Sequence, residues 1–279
     1  MTRHFPRWQT VVLGAALGIA APPVRAGQPD AIFADGFEFL SFRFADLDLR
    51  DPHVWVNALG CHDFTDSTSL GFSFNGLLQT SIQTDGDNDG LLDLSYLLRL
   101  YPFNESDGAA GEADFVAANC SSPFPPAACA ADGSVPVVSM YTSQTLGTCL
   151  APLAGTTGSY TPAIVQSSAP CFWTSPQTVI LDVAGIPITL QNAQLGATYV
   201  GNPATGLSNG LIAGFISEAD ADATILPSTL PLVGGLPLSS LFAGGTGSCP
   251  AFSDKDVIGG VTGWQVYFNF TAGKVNYGE

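Results

Sequence analysis

Between Trp264 and Phe270 the chain alternates without interruption: Trp264, Val266, Phe268 and Phe270 fall on one side, and Gln265, Tyr267, Asn269 and Thr271 on the other. A repeat of two is the signature of a β-strand with one face in a core, because successive side chains of an extended backbone point in opposite directions. The same alternation recurs at Leu40, Phe42 and Phe44 against Ser41 and Arg43, and at Leu92, Leu94, Tyr96, Leu98 and Leu100 against Asp93, Ser95 and Arg99. A short strand is predicted around 54–56. Residues 177–183 and 186–200 are dense in β-branched side chains on either side of Ala184-Gly185, which predicts a hairpin. With 31 Gly, 20 Pro and only 11% charged residues, the chain is suited to many short strands joined by turns and poorly suited to long helices. The fold class expected is therefore mainly β, a β-sandwich-like single domain over 39–279, with one or two short helices and disulfide stabilisation.

Two segments carry helical spacing instead. Leu77, Leu78 and Ile82 predict a short amphipathic helix over 75–82, and Leu207, Leu211, Ile212, Phe215 and Ile216 predict a longer one that would cover a sheet. Residues 225–242 are apolar enough to suggest a membrane segment, but Pro227, Pro231, Pro237 and Gly234-Gly235 would break a spanning helix, and a buried extended segment is expected. The stretch 106–176 is rich in small residues and holds four cysteines, so it reads as short strands and disulfide-tied loops.

The N-terminus has the plan of a signal peptide: Arg3 and Arg7, a short apolar run over 11–21, and Val24-Arg25-Ala26 before a cut. The run is too short for a bilayer, which needs about 20 apolar residues, and Pro22 and Pro23 interrupt it. Gly27, not a cysteine, would follow the cut, so no lipid anchor is expected there. Removing 1–26 leaves 5 basic residues against 24 acidic ones. A surface so acidic, with Arg43, Arg50, Arg99, Lys255 and Lys274 scattered along it, excludes nucleic acid as a partner.

All six cysteines lie after the cut, in a compartment that permits oxidation. The short intervals Cys120 to Cys129 and Cys149 to Cys171 suggest local loops, which leaves Cys61 with Cys249. No C-x-x-C spacing is present, which argues against a zinc ribbon or a thioredoxin-type site.

Residues 27–38 form a polar linker that contains Ile32-Phe33-Ala34-Asp35-Gly36-Phe37-Glu38. That heptapeptide resembles a segment found near the mature ends of exported proteins of Gram-negative bacteria. The last third of the chain, through Asn209-Gly210-Leu211-Ile212-Ala213-Gly214-Phe215 and the run from Gly263-Trp264 to Phe270, resembles a family of exported bacterial proteins with no assigned activity. The resemblance implies export and carries over no catalytic residue.

The sharpest chemical motif is Asp85-Gly86-Asp87-Asn88-Asp89-Gly90-Leu91-Leu92-Asp93. Carboxylates at positions 1, 3 and 5 converge on one point, glycine at position 6 permits the turn, Leu91 at position 7 offers its carbonyl, and Asp93 at position 9 ligates directly or through water; this is calcium-loop chemistry. Tyr96 stands where an EF-hand has its bidentate glutamate, so the expected ligand set is Asp85, Asp87, Asp89, Leu91 and Asp93. Affinity in the range of about 0.1 to 1 mM is expected, together with a structural role for Ca2+.

Three other constellations carry residues suited to chemistry. Gly206-Leu207-Ser208-Asn209-Gly210 matches the nucleophile-elbow pattern, but the last histidine, His62, precedes it, whereas the triad of that fold runs Ser, acid, His. His53 and His62-Asp63 could supply a metal ligand pair or an acid–base pair. Glu218, Asp220 and Asp222 could act as glycosidase carboxylates, although Ser217-Glu218-Ala219-Asp220 reads more simply as a helix cap. The expectation is a secreted extracellular or periplasmic binding or surface-associated structural protein, its ligand a glycan or a cell-surface component, with no transmembrane segment after cleavage. The alternative is a secreted hydrolase acting on a polysaccharide or an ester.

Overall fold

The computed structural model describes residues 39–67, 71, 73–123, 127–155, 161–183 and 185–278. The signal peptide, the linker with its heptapeptide and Ala184 lie outside the described residues. In chain order the elements are β1 (Leu40–Asp51), β2 (Trp55–Asn57), β3 (Cys61–Asp63), α1 (Phe74–Gln83), β4 (Tyr96–Tyr101), β5 (Ala110–Cys120), β6 (Ala128–Ala131), β7 (Val137–Gln144), β8 (Thr148–Leu150) and β9 (Ser167–Ser168). There follow β10 (Cys171–Thr174), β11 (Gln177–Val183), β12 (Ile186–Gly201), β13 (Ala204–Ser217), α2 (Glu218–Ala223), a 3-10 turn (Leu238–Leu241), β14 (Asp256–Ile258) and β15 (Val261–Gly278).

The mainly β architecture predicted from the alternation is present, and its largest sheet closes on itself. Strand β1 pairs with β4, β4 with β5, β5 with β7, β7 with β10, β10 with β12, β12 with β13, β13 with β15, and β15 returns to β1. All eight pairings are antiparallel. An eight-stranded ring is just wide enough for side chains to fill, and here the filling is aromatic. Phe44 stacks on Phe270 at 4.3 Å, Tyr96 on Phe115 at 5.1 Å, and Phe103 meets Tyr199 edge-on at 5.7 Å. The predicted hairpin is β11 and β12, with Val183 opposite Ile186. The outer edge of β11 is met by a side chain: the Tyr96 hydroxyl donates to the Asp182 carbonyl at 2.8 Å and accepts from its N–H at 2.6 Å.

The helix expected over 207–216 is a correction: those residues belong to β13. Helical spacing arose because this strand is buried on both faces, so Leu211, Ile212, Phe215 and Ile216 are all enclosed whichever way they point. Inward they meet the ring interior. On the outer side the neighbouring strand β15 is met by the segment after β8: the Tyr267 hydroxyl accepts from Leu153 N–H at 2.9 Å and Asn269 exchanges hydrogen bonds with the Val165 backbone at 2.8 and 2.7 Å. A bulge at Ser208 and Asn209, the latter at φ +46°, resets the register between Leu207 and Gly210. A Cβ on Gly210 would stand 2.6 Å from both the ring and the carbonyl oxygen of Phe270. Gly210→Ala is accordingly expected to destabilise by about 1–3 kcal/mol, as overpacked cores do. Urea unfolding checks this, and an unchanged midpoint would show that β13 and β15 part easily.

Residues 225–242 also differ from expectation. Leu226, Leu238, Leu241 and Phe242 are buried, but Ile225, Leu232 and Leu236 are exposed, and the segment is a series of turns ending in the 3-10 turn. Its prolines and glycines do break a spanning helix, and they also prevent an extended run.

Helix α1 forms where expected. The Ser73 hydroxyl caps it by accepting from the Gly76 N–H at 3.1 Å, and Leu78 and Ile82 face the core. Asn75 fastens it to β1 by accepting from the Leu49 N–H at 2.8 Å and donating to the Leu49 carbonyl at 3.0 Å. At its other end the guanidinium of Arg43, 2% exposed on β1, donates to the Ile82 carbonyl, to Ser95 Oγ at 3.2 Å and to the Phe44 carbonyl at 2.9 Å. A cation at a helix C-terminus meets the negative end of the peptide dipoles. Burial nevertheless pulls the Arg43 pKa down to about 10.

The three disulfides join Cys61 to Cys249, Cys120 to Cys129 and Cys149 to Cys171, the pairing inferred from spacing. Cys120–Cys129 closes a small second core outside the ring, with Leu92, Leu97, Val116 and Val275. Among the described residues no helix is long and apolar enough to cross a membrane.

Candidate metal centre

The Asp-rich loop runs from the end of α1 towards β4, and both its ends are pinned by backbone hydrogen bonds. Asp93 N–H donates to the Thr84 carbonyl at 3.0 Å, Leu94 N–H to the Ser81 carbonyl at 2.9 Å, and Leu92 N–H to the Cys120 carbonyl at 2.9 Å. The first two satisfy carbonyls that the helix C-terminus leaves without intrahelical partners. The expected strand over 92–100 therefore begins only at Tyr96, because 92–94 are spent closing this loop. Arg43 holds the same junction from the sheet side.

Within the loop, the carboxylates of Asp85, Asp87 and Asp89 each offer an oxygen, all within 4.8 Å of one another. Backbone N–H groups fix their orientation: Asp85 accepts from Asp89 at 3.1 Å and from Gly90 at 2.8 Å, and Asp89 accepts from Leu91 at 2.8 Å. Asn88 at φ +62° and Gly90 at φ +90° take the left-handed turns that bring these groups together, conformations open chiefly to Asn and Gly. Asp93 faces the loop from its far end and accepts from the Gly86 N–H at 2.8 Å. A Cβ on Gly86 would lie 2.8 Å from Asp93 Oδ2, so a side chain there would push the Asp93 carboxylate aside. Of the five ligands expected from the sequence, the structure gathers Asp85, Asp87 and Asp89 and places Asp93 as a brace across the turn. Leu91 enters through its backbone N–H on Asp89. An exposed, all-oxygen, anionic donor set suits a hard divalent cation, for which calcium's flexible geometry and tolerance of bound water are the best match.

The other constellations have structural partners. His53, buried after β1, has Nδ1 2.5 Å from Asp63 Oδ2, and Asp63 Oδ1 accepts from Thr65 N–H at 2.9 Å. Burial opposes the Asp63 charge, but the hydrogen bonds from His53 and Thr65 outweigh it and hold the carboxyl below its usual range. His62, which the sequence paired with it, lies on the β2–β3 hairpin opposite Val56. Ser208 sits in the β13 bulge, not at a strand-to-helix elbow. Its neighbour Leu207 is opposite Ala272, which is opposite Phe44, so Ser208 is about seven residues up the sheet from Asp51 and His53. At about 3.3 Å per residue that is about 23 Å. Ser217 caps α2 by accepting from the Asp220 N–H at 3.0 Å, and Asp220 Oδ2 accepts from Ser217 Oγ at 2.7 Å and Gln191 Nε2 at 2.6 Å. Glu218 pairs with Lys255 and Asp222 accepts from Ser239. The cap is thus the role the structure gives Ser217 and Asp220.

One acidic group had no sequence signal. Asp51, at the end of β1 and 1% exposed, faces Asp254 and Asp256, about two hundred positions away. Burial, then the charge of Asp254 and a hydrogen bond to it, then the charge of Asp256, push the Asp51 carboxyl up to about 9. Asp256 is raised too, by burial first and by Asp254, against a hydrogen bond from the Gln265 backbone. Only the pairing of β1 and β14 with neighbouring stretches of β15 brings these acids together. Comparison with known proteins gives no match: no family model, no curated protein and no solved structure matches this chain.

Proposed function

We propose that this chain is an exported binding or surface-associated structural protein whose fold is braced by a calcium ion in the loop of Asp85, Asp87, Asp89, Leu91 and Asp93. The observation that carries the reading is the approach of three carboxylates to within 4.8 Å in a loop whose backbone donors already aim them. Holding three like charges that close is unfavourable until a cation neutralises them. The ion would tie the end of α1 to the start of β4 and so stiffen one wall of the ring. Export agrees with three disulfides and with the signal-like N-terminus. The partner class that fits an acidic, rigid β scaffold outside the cytoplasm is a glycan or another cell-surface component, engaged through its loops.

Thermal melting of the oxidised protein, with calcium and with excess chelator, tests the brace. Calcium at ten times its Kd stabilises by about 1.4 kcal/mol, a rise in Tm of about 3–6 °C for a chain of this size. Asp87→Ala is expected to remove the loop's share of that rise. An equal rise in Asp87→Ala, or none in the wild type at about 10 mM calcium, would reduce the loop to a solvated turn.

A further inference from the structure

One cavity of the fold has a wall of carbon almost throughout. It lies between α1, the β2–β3 hairpin, the turn from β11 into β12 and the turns that follow α2, with Val56, Phe74, Leu77, Ile186, Leu230 and Leu232 in its wall and a volume of about 60 Å³. A water needs about 10–15 Å³ and two or more polar partners, so this space has room for several waters and offers them no hydrogen bonds. A smaller void of about 10 Å³ adjoins it, reaching Val266 and Phe268 of β15, and Val54, Phe74 and Leu241 belong to both walls. Together they lead from the end of the ring towards its interior, and the mouth of a β-barrel is a place where small ligands bind.

The cavity opens between apolar side chains that solvent reaches: Leu77 on α1 is 40% exposed and Leu232 is 60% exposed. Leu232 stands at φ +70°, a left-handed conformation in which the Cβ of an L-residue crowds the following carbonyl. Backbone strain of this kind clusters at ligand clamps, where the surrounding structure holds it. The turns that carry Leu232 form a flap. Among the described residues the backbone hydrogen bonds of 227–235 stay within 226–236: Leu230 N–H donates to the Pro227 carbonyl at 3.0 Å, Gly234 to Leu230 at 3.1 Å and Gly235 to Leu226 at 3.0 Å. The flap can swing from the cavity without breaking a backbone hydrogen bond to the rest of the fold.

Charge limits what the mouth accepts. Within three positions of the lining residues the chain carries Asp51, Asp63, Asp66 and Asp182 and no Lys or Arg. Arg50, one position further off, is paired with Asp48 at 2.7 Å. A carboxylate or phosphate head group there would meet like charge with no cation to offset it. We propose that this cavity binds the hydrocarbon tail of a single-chain amphiphile, taken as a monomer from solution, whose head group carries no negative charge. The tail lodges between α1 and the β2–β3 hairpin, and the head stays outside, beyond Leu77 and Leu232. Burial of carbon supplies the affinity, at about fourfold per methylene withdrawn from water. The site is separate from the Asp85 loop, with which it shares no residue.

Isothermal titration of the oxidised protein with 1-octanol, below its solubility limit, and with octanoate, ionised at about pH 8, tests the site. One octanol per chain is expected, with octanoate weaker by about tenfold or more. Val56→Phe fills the cavity from β2 and is expected to weaken octanol by about tenfold or more, as for the loss of two buried methylenes. Leu232→Asn removes apolar rim while keeping the turn, because Asn takes left-handed backbone readily, and is expected to weaken octanol about fourfold. Near-UV circular dichroism reports whether each variant keeps the native packing; if Val56→Phe does not, Leu232→Asn on its exposed turn decides the matter. Saturable octanol binding that the folded variants weaken supports the proposal. A wild type with no saturable binding, or folded variants that bind octanol as tightly as the wild type, overturns it. Octanoate binding as tightly as octanol overturns the assignment of the head group.

Discussion

Serine at both Cys61 and Cys249 is expected to lower the stability of the oxidised protein by about 5 kcal/mol, more than the loss of either other disulfide. The bridge spans 188 residues, and in the loop-closure model the entropy withheld from the unfolded chain grows with the logarithm of that span. The spans of 22 and 9 residues at Cys149–Cys171 and Cys120–Cys129 give about 3 kcal/mol each by the same relation. For a chain of this size about 5 kcal/mol corresponds to a fall in Tm of about 10–20 °C. The native state contributes as well. Strands β2 and β3 pair only with each other in the described sheets, and this disulfide adds a covalent tie to the packing of Val56 in the core, the Trp55 ring edge-on to Phe252 at 5.5 Å and the His53–Asp63 contact. Differential scanning calorimetry of the three double-serine variants checks the order. If the Cys120/Cys129 variant loses as much as the Cys61/Cys249 variant, local packing rather than chain closure sets the contribution of these bridges.

Arg43→Met is expected to destabilise by about 3 kcal/mol and to weaken calcium binding at the Asp85 loop. Methionine fills a similar volume along the aliphatic stem, so the loss is that of the guanidinium. The buried carbonyls of Ile82 and Phe44 would each lose a donor, at about 1–3 kcal/mol apiece. Release of a charge held with only neutral acceptors offsets part of that, because the same burial that draws the Arg43 pKa down to about 10 makes its cation costly. The effect on calcium follows from position. Arg43 bonds Ile82 just before the loop and Ser95 just after it, so removing it takes one tie to β1 from each end of the loop. Urea unfolding and calcium titration of the folded variant measure the two effects separately. A variant destabilised as expected but with wild-type calcium affinity would show that the loop's own hydrogen bonds suffice to shape it.

Much of the local structure could be read from the chain alone, for reasons that are themselves local. Alternation marked β1, β4 and β15 because one face of each meets the aromatic interior and the other carries mostly polar side chains, which the tertiary structure covers as well. Ser217 and Asp220 announced a helix start because capping is a contact over three residues. The disulfide pairing followed from short intervals that leave one long partner pair. Asp85, Asp87 and Asp89 could be grouped because a turn of five residues is enough to bring them together.

What the tertiary structure decided depends on distant partners. Strand β13 carries an apolar pattern compatible with a helix, and it is a strand because β12 and β15 supply hydrogen-bonding neighbours on both sides. Ring closure rests on the pairing of β15 with β1, nearly the full length of the described chain apart, which no local window registers. Arg43 looks in sequence like an ordinary solvent-facing residue of an alternating strand, and it is enclosed because α1 and the segment around Ser95 fold over it. Asp51 meets Asp254 and Asp256 only once β15 has set β1 and β14 beside it. Short-range patterns reach the sequence because adjacent side chains share one backbone geometry; burial from outside and the charges that meet there arise only when strands far apart in the chain become neighbours.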